Sequence, residues 1–297
     1  MVYVHKAWRY VTGTEMPKTI RATIFDGARL LKIQQTAAVM ELYAGANPST
    51  MSTINIEKIV WRWINLSHRE DRRQHMAREL AKVGLQAKRF EALRFEDYDG
   101  PAEDVQLMMP TRNTIGQWLS MMAVWRTVVN TNQILGLLED DALLCSDFLP
   151  RLKYIEDHFD KPWDIFFLGA TFHADEAVWH PELGHDFELT DIDHIVRTYG
   201  AFSNQGYLIN PKSAEKILGM MQGRMSRSRG SDHALIQIQP MLNCYCFVPG
   251  MVFQIDGKSD IGDGVTKFSN FFKSLGQYIW TDTLAEFDWQ TWKEDHE

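Results

Sequence analysis

From Ile54 onward, short apolar runs alternate with longer stretches whose apolar residues recur at helical spacing. IEKIVWRWINL (56–66) is rich in β-branched and aromatic residues and predicts a strand. SHREDRRQHMARELAKVG (67–84) follows, with Met76, Leu80 and Val83 on one face. Ser67 and Glu70 predict a capping box at its start, and Gly84 predicts its stop. LQAKRFEAL (85–93) predicts a second strand, the polar stretch 94–106 a loop, and TIGQWLSMMAVWRTVVNTN (114–132) a helix. ILGLL (134–138) is a short, wholly apolar strand that runs into Glu139, Asp140 and Asp141.

The same alternation continues downstream. DFLPRLKYIEDHF (147–159) predicts a helix, and WDIFFLGA (163–170) a strand buried on both faces. A His- and acid-rich loop runs from Thr171 to Asp191, and IDHIVRTY and GYLIN predict strands. Asn210-Pro211 predicts a helix start with proline at its first position. The polar, glycine-containing MSRSRGSD (225–232) predicts a flexible loop, HALIQIQPM (233–241) a short helix and NCYCFVP (243–249) a strand. Strands alternating with helices imply an α/β fold with a mostly parallel central sheet flanked by helices.

Composition narrows the class of molecule. The 297 residues are 45% hydrophobic and 24% charged, with a formal net charge of −8, which is ordinary for a globular chain long enough to bury a large core. The acidic balance argues against nucleic acid as a partner, since that depends on basic surface. No apolar run reaches the length of a membrane span, which leaves peripheral membrane contact open. Cys145, Cys244 and Cys246 are too few for a disulfide framework, and Cys244 and Cys246 read as buried strand residues. The chain therefore reads as soluble and cytoplasmic. Its first fifty residues differ, carrying six bases against three acids. Met51 directly precedes the first strong strand, so the natural start is Met1 or Met51. The expected organisation is an N-terminal extension over 1–53, a catalytic domain over 54–265 and a C-terminal tail over 266–297.

The candidate chemistry lies in Glu139, Asp140 and Asp141. They follow a buried strand, and ligands of open α/β sheets bind at the carboxyl ends of strands. Adjacent carboxylates repel one another and suit a hard divalent cation, Mn²⁺ or Mg²⁺, shared with substrate phosphates. A solvated turn is the alternative reading. Asn65, Arg72 and Arg73 stand at the end of the first strand and in the next helix, where guanidinium groups suit phosphate. Pairing of these arginines with Glu70 or Glu79 is the alternative. Ser120 reads as a sugar ligand or a local cap. Asp232 reads as a general base or a helix N-cap.

The ordered set of segments resembles glycosyltransferase family 25, which includes lipopolysaccharide and lipooligosaccharide galactosyltransferases and procollagen galactosyltransferases. WRWINLSHREDRRQHM resembles the family's opening strand and helix through Ile64, Asn65, Leu66, Asp71, Arg72 and Arg73. IGQWLSMMAVW matches at Gly116, Leu119, Ser120 and Trp125, with Gln117 where the family commonly has cysteine and Met121 where it commonly has histidine. LLEDDALL resembles the family's version of the Asp-x-Asp metal motif. FSNQGYLINPKSAEKIL, SDHAL, VPGMVFQ and Ser259-Asp260-Ile261 resemble later segments, in order. The resemblance implies a GT-A-like nucleotide-diphospho-sugar transferase fold. It implies a UDP-sugar donor bound by Asn65, Arg72, Arg73, Ser120, Glu139 and Asp140, and a divalent cation at Asp141, Asp140 and Glu139. It further implies transfer of a hexose with inversion to a glycan, lipid-linked glycan or glycoprotein acceptor, with Asp232 as catalytic base. An inactive sugar- or nucleotide-binding relative and a metal-dependent nucleotide-sugar hydrolase are the competing readings.

Overall fold

The computed structural model describes residues 53–97, 112–172, 186–202, 205–222, 230–258, 260, 265–266 and 279–296. Residues 1–52 of the N-terminal extension, most of the MSRSRGSD loop, residues 173–185 of the His- and acid-rich loop with its three histidines His173, His180 and His185, Ser259 and Ile261 lie outside them.

The first unit is the strand β1 (Ile59–Asn65). It buries every second residue, the pattern of a pleated strand with one face toward a core. Helix α1 (Glu70–Val83) follows, burying Met76 and Val83. It stops where Gly84 takes a left-handed conformation, φ 70°, that costs glycine nothing. The expected capping box does not form. The residue at the N-cap is Arg69, no side chain caps the helix, and Glu70 instead pairs with Arg73. Next come β2 (Lys88–Glu91), α2 (Arg112–Arg126), β3 (Ile134–Glu139) and β4 (Ala142–Leu144).

Downstream lie α3 (Phe148–His158), β5 (Ile165–Phe167), β6 (Phe187–Leu189), β7 (Ile195–Thr198) and β8 (Gly206–Ile209). Phe187–Leu189 is thus a strand inside the segment expected to be loop, held by pairing with β7, which no local pattern encodes. α4 (Ala214–Gln222) begins three residues beyond the expected proline start, because Asn210 Oδ1 accepts from Lys212 N and shapes 210–213 as a turn. The last elements are α5 (Ser231–Ile238), β9 (Cys244–Phe247), β10 (Val252–Gln254), β11 (Gly257–Lys258), β12 (Val265–Thr266) and α6 (Trp289–Glu294).

Among the described residues, eight strands form one sheet in the order β2-β1-β3-β8-β5-β9-β7-β6. Six of them run one way, while β7 and β8 run against them. β5 and β9 are wholly buried, Cys244 and Cys246 included, as their unbroken apolar character predicts. On one face, Trp61 and Trp63 of β1 join Met76 of α1 and Phe148, Leu152 and Ile155 of α3 in the core. On the other, Trp125 of α2 donates its indole N–H to the Tyr207 hydroxyl at 3.1 Å, and α2, α4 and α5 pack against one another. Gly136 is required by this packing, since a Cβ there would lie 2.4 Å from the Trp61 ring.

Residues 279–296 lie against this core rather than apart from it. The wholly buried Arg151 donates to the carbonyls of Pro249, Gly250 and Thr281, and Trp289 donates its indole N–H to Asp193.

Candidate active site

The ends of β1 and β3 lie side by side, with Ile64 level with Glu139. A cavity of ≈ 440 Å³ opens above them. Its floor is the acidic turn Glu139–Asp141. One wall is α2, with Asn113, Gly116, Gln117 and Met121. A second is the strand-to-loop segment Ala92–Glu96, and the rim carries His68, Arg72, Gln254 and Asp260. α2 sits hard against the second wall. A Cβ on Gly116 would lie 2.8 Å from Leu93 O, and the Ser120 hydroxyl accepts from Leu93 N at 2.8 Å and donates to Gly116 O at 2.6 Å. Ser120 is wholly buried and its hydroxyl bonds backbone groups, so it fastens α2 to the loop.

The acidic turn is held from four directions. Asn65 Nδ2 donates to Asp140 Oδ2 at 2.7 Å, and Asn65 Oδ1 accepts from Arg89 Nε at 3.0 Å. Arg72 Nη1 donates to Asp140 Oδ1 at 2.7 Å and to Asp141 Oδ2 at 2.5 Å. Gln254 Nε2 donates to Asp141 Oδ2 at 2.9 Å, brought there by the antiparallel pairing of β10 with β4. Gln117 Nε2 donates to Glu139 Oε1 at 3.1 Å. Asp141 Oδ1 is buried and has no hydrogen-bond partner among the described residues.

These contacts set the charge states. Burial pushes the Glu139 carboxyl up to about 8; the charges of Asp141, Asp140 and Asp232 act the same way, and the Gln117 bond only partly opposes them. Burial also raises Asp140, against the pull of Arg72. Burial works against the charge on Arg72, but Asp141 and Asp140 outweigh it and hold the guanidinium above its usual range.

The predicted residues separate on this geometry. Asn65, Arg72, Glu139, Asp140 and Asp141 meet at one point of the cavity. Arg73 is not among the cavity residues. It pairs with Glu70 and donates to the carbonyls of Leu66 and Ser67, so it braces the turn into α1. Asp232 is also not among them, although its neighbour Ser231 is. Nor is it the N-cap of α5, which is Gly230; it occupies the first helical turn and accepts from His233 N at 2.8 Å. Trp118 and Trp125 are wholly buried core residues.

Gln254, Tyr207, Asn113 and Asp260 complete the cavity without having been singled out by their chemistry. Asp260 pairs with Arg69, and its carbonyl accepts from Asn113 Nδ2. For Gln254, Tyr207 and Asp260 the only signal was membership in segments that resemble the family; Asn113 lies outside those segments and had none.

The donor set of the acidic turn is compatible with a hard divalent cation. Among the described residues, no three His, Cys, Asp or Glu side chains form a ready-made metal site. Asp141, with its unpartnered buried oxygen, and Asp140 beside it are the two carboxylates that would hold such an ion, the number Mg²⁺-type sites use when substrate phosphates complete the shell.

A model of glycosyltransferase family 25, described as an LPS biosynthesis protein, matches residues 62–226. Procollagen galactosyltransferase 2 of Homo sapiens is 25% identical over 173 residues, which cover 52% of this chain and 26% of that protein. Procollagen galactosyltransferase 1-B of Xenopus laevis is 26% identical over 172 residues, covering 52% and 27%. The chain thus matches about a quarter of the length of these curated relatives. A solved inositol-1-phosphate CTP transferase from T. maritima aligns with a TM-score of 0.32 and 14% identity, over 75% of this chain and 79% of that one. The matched stretch takes in the end of β1 from Arg62, the arginines of α1, the acidic turn and β8, more than half of the sequence, and the chain belongs to glycosyltransferase family 25.

Proposed function

We propose that the protein is a glycosyltransferase that moves a hexose, galactose or glucose, from a UDP-sugar to a hydroxyl of a glycan or other acceptor, on a GT-A-like fold. The observation that carries this reading is the junction of Arg72 with Asp140 and Asp141 on the floor of a cavity at the carboxyl ends of β1 and β3. Family membership and the resemblance to procollagen galactosyltransferases support it.

Asp141 and Asp140 would hold a divalent cation together with the donor diphosphate. When bound, that cation supplies neutralisation of the diphosphate leaving group. Asn65 fixes Asp140 by its 2.7 Å bond, and Gln254 fixes Asp141. Glu139, held by Gln117 and raised toward neutrality by burial, would meet donor hydroxyls rather than add a third strong negative charge beside Asp140 and Asp141. The acceptor oxygen attacks the anomeric carbon as the bond from that carbon to the diphosphate breaks. Its proton passes to a carboxylate, and the configuration inverts. Asp232, about one third exposed beside the cavity residue Ser231, is the base assigned to that proton.

Titration calorimetry with UDP-galactose, UDP-glucose and UDP, with and without Mn²⁺, tests the reading on the parent and on Asp141→Asn. Metal-dependent nucleotide binding by the parent, at least tenfold weaker in the variant, is expected. Nucleotide binding indifferent to Mn²⁺ and to Asp141 would reject the acidic turn as the donor site. Sugar release at the same rate with and without acceptor would reject transfer in favour of hydrolysis.

A further inference from the structure

The acidic turn already carries a cation of its own. Arg72 Nη1 stands 2.7 Å from Asp140 Oδ1 and 2.5 Å from Asp141 Oδ2, bridging the two carboxylates that the reading above assigns to a divalent ion. Each carboxylate's second tie is neutral, to Asn65 or Gln254. A divalent ion held by the unpartnered Asp141 Oδ1 and by Asp140 would sit only a carboxylate's width from this guanidinium, and the two positive charges would repel strongly. The other end of the guanidinium is held more weakly, by a 3.1 Å bond from Nη2 to the carbonyl of Lys258. Arg72 also lines the cavity, and its side chain is long enough to swing within it. A planar guanidinium is shaped for bidentate contact with phosphate.

We propose that Arg72 is an exchangeable counter-ion. In the protein without ligand it neutralises Asp140 and Asp141; when a divalent cation and a nucleoside diphosphate enter together, it leaves the carboxylates and pairs with the diphosphate. The inference rests on the donor-site reading and adds an order to it. Metal alone binds poorly because it must displace Arg72, and the diphosphate provides the guanidinium with a new partner. Metal and nucleotide are thereby made mutually dependent, each improving the other's affinity by the same factor.

The test measures Mn²⁺ alone by electron paramagnetic resonance, and UDP at saturating Mn²⁺ by calorimetry. The variants are Arg72→Gln, Arg72→Lys and, as a control for lost charge on the exposed face of α1, Arg78→Gln. Arg72→Gln is expected to bind Mn²⁺ alone on the order of tenfold more tightly and UDP on the order of tenfold more weakly, a coupling of ordinary size. Arg72→Lys restores part of the competition, and Arg78→Gln behaves as the parent. Mn²⁺ affinity unchanged or weakened in a folded Arg72→Gln overturns the exchange and leaves Arg72 a fixed brace of the carboxylates. If Arg72→Gln does not fold, Mn²⁺ affinity in Arg72→Lys above the parent's, with weakened UDP binding, supports the exchange, and Mn²⁺ affinity unchanged or weaker than the parent's overturns it. Absence of metal-dependent UDP binding in the parent is the separate failure of the donor-site reading, and the exchange falls with it.

Discussion

Asn65 offers a sharp test of how the acidic turn is built. It is 1% exposed at the end of β1 and joins four groups. Its Nδ2 donates to Asp140 at 2.7 Å and to the Arg69 carbonyl at 3.3 Å; its Oδ1 accepts from Arg89 at 3.0 Å and from Arg73 at 3.4 Å. Asn65→Leu keeps the branched shape and heavy-atom count, at a somewhat larger volume, and removes all four bonds. Losing a buried, charge-assisted bond to Asp140 costs about 2 kcal/mol. The long bond to Arg69 O and the bonds from two arginines that reach water cost about 1.5 kcal/mol together. The buried leucine returns about 1 kcal/mol of apolar transfer energy. The net loss is about 2–3 kcal/mol, or about 4–12 °C in melting temperature for a folded unit of this size. Urea unfolding followed by circular dichroism checks the first number, through a lower midpoint at unchanged slope. Calorimetry with Mn²⁺ and UDP checks the second consequence, an affinity about tenfold weaker because Asp140 is no longer aimed. A loss below about 0.5 kcal/mol with unchanged UDP affinity would refute the reasoning that Asn65 sets this carboxylate.

Three further outcomes follow from the packing and the charge states. Gly136→Ala drives a Cβ to within 2.4 Å of the Trp61 ring, so the melting temperature falls, by an amount corresponding to about 1–3 kcal/mol, and Gly136→Ala with Trp61→Leu recovers part of it. Arg151→Met leaves Asp147 without its buried counter-ion and frees the 281 region; a loss of about 3–5 kcal/mol is expected, with faster proteolysis near residue 281 than elsewhere. Burial lowers the His194 pKa below its usual 6.5, partly opposed by the bond to Val248 O. The unfolded chain therefore binds a proton first as pH falls. The stability from neutral His194 is full above about pH 6.5 and is lost as pH drops through the lowered folded value. In His194→Asn, which tolerates the φ of 64°, the melting temperature should fall less between pH 7 and pH 5 than in the parent; equal falls would assign the acid sensitivity to other groups.

What was legible in the sequence was local. β1, α1 and its stop at Gly84, β3 and the buried β5 and β9 follow from side-chain periodicity and one glycine, features written within a dozen neighbouring residues. The acidic turn and Asn65 were legible too, because a polar residue ending an apolar strand marks the edge where a sheet binds ligands. The tertiary structure alone decided what surrounds them. β8 and β7 run against the other strands, and direction depends on partners far away in the chain. The difference between Arg72, on the carboxylates, and Arg73, on Glu70, is one step of 100° around a helix whose rotation is set by packing Met76 and Val83. Gln254 reaches Asp141 across 113 residues only because β10 pairs with β4. Sequence periodicity records which face of an element is apolar. It does not record which distant element that face will meet, and the charge balance of this site is made by such meetings.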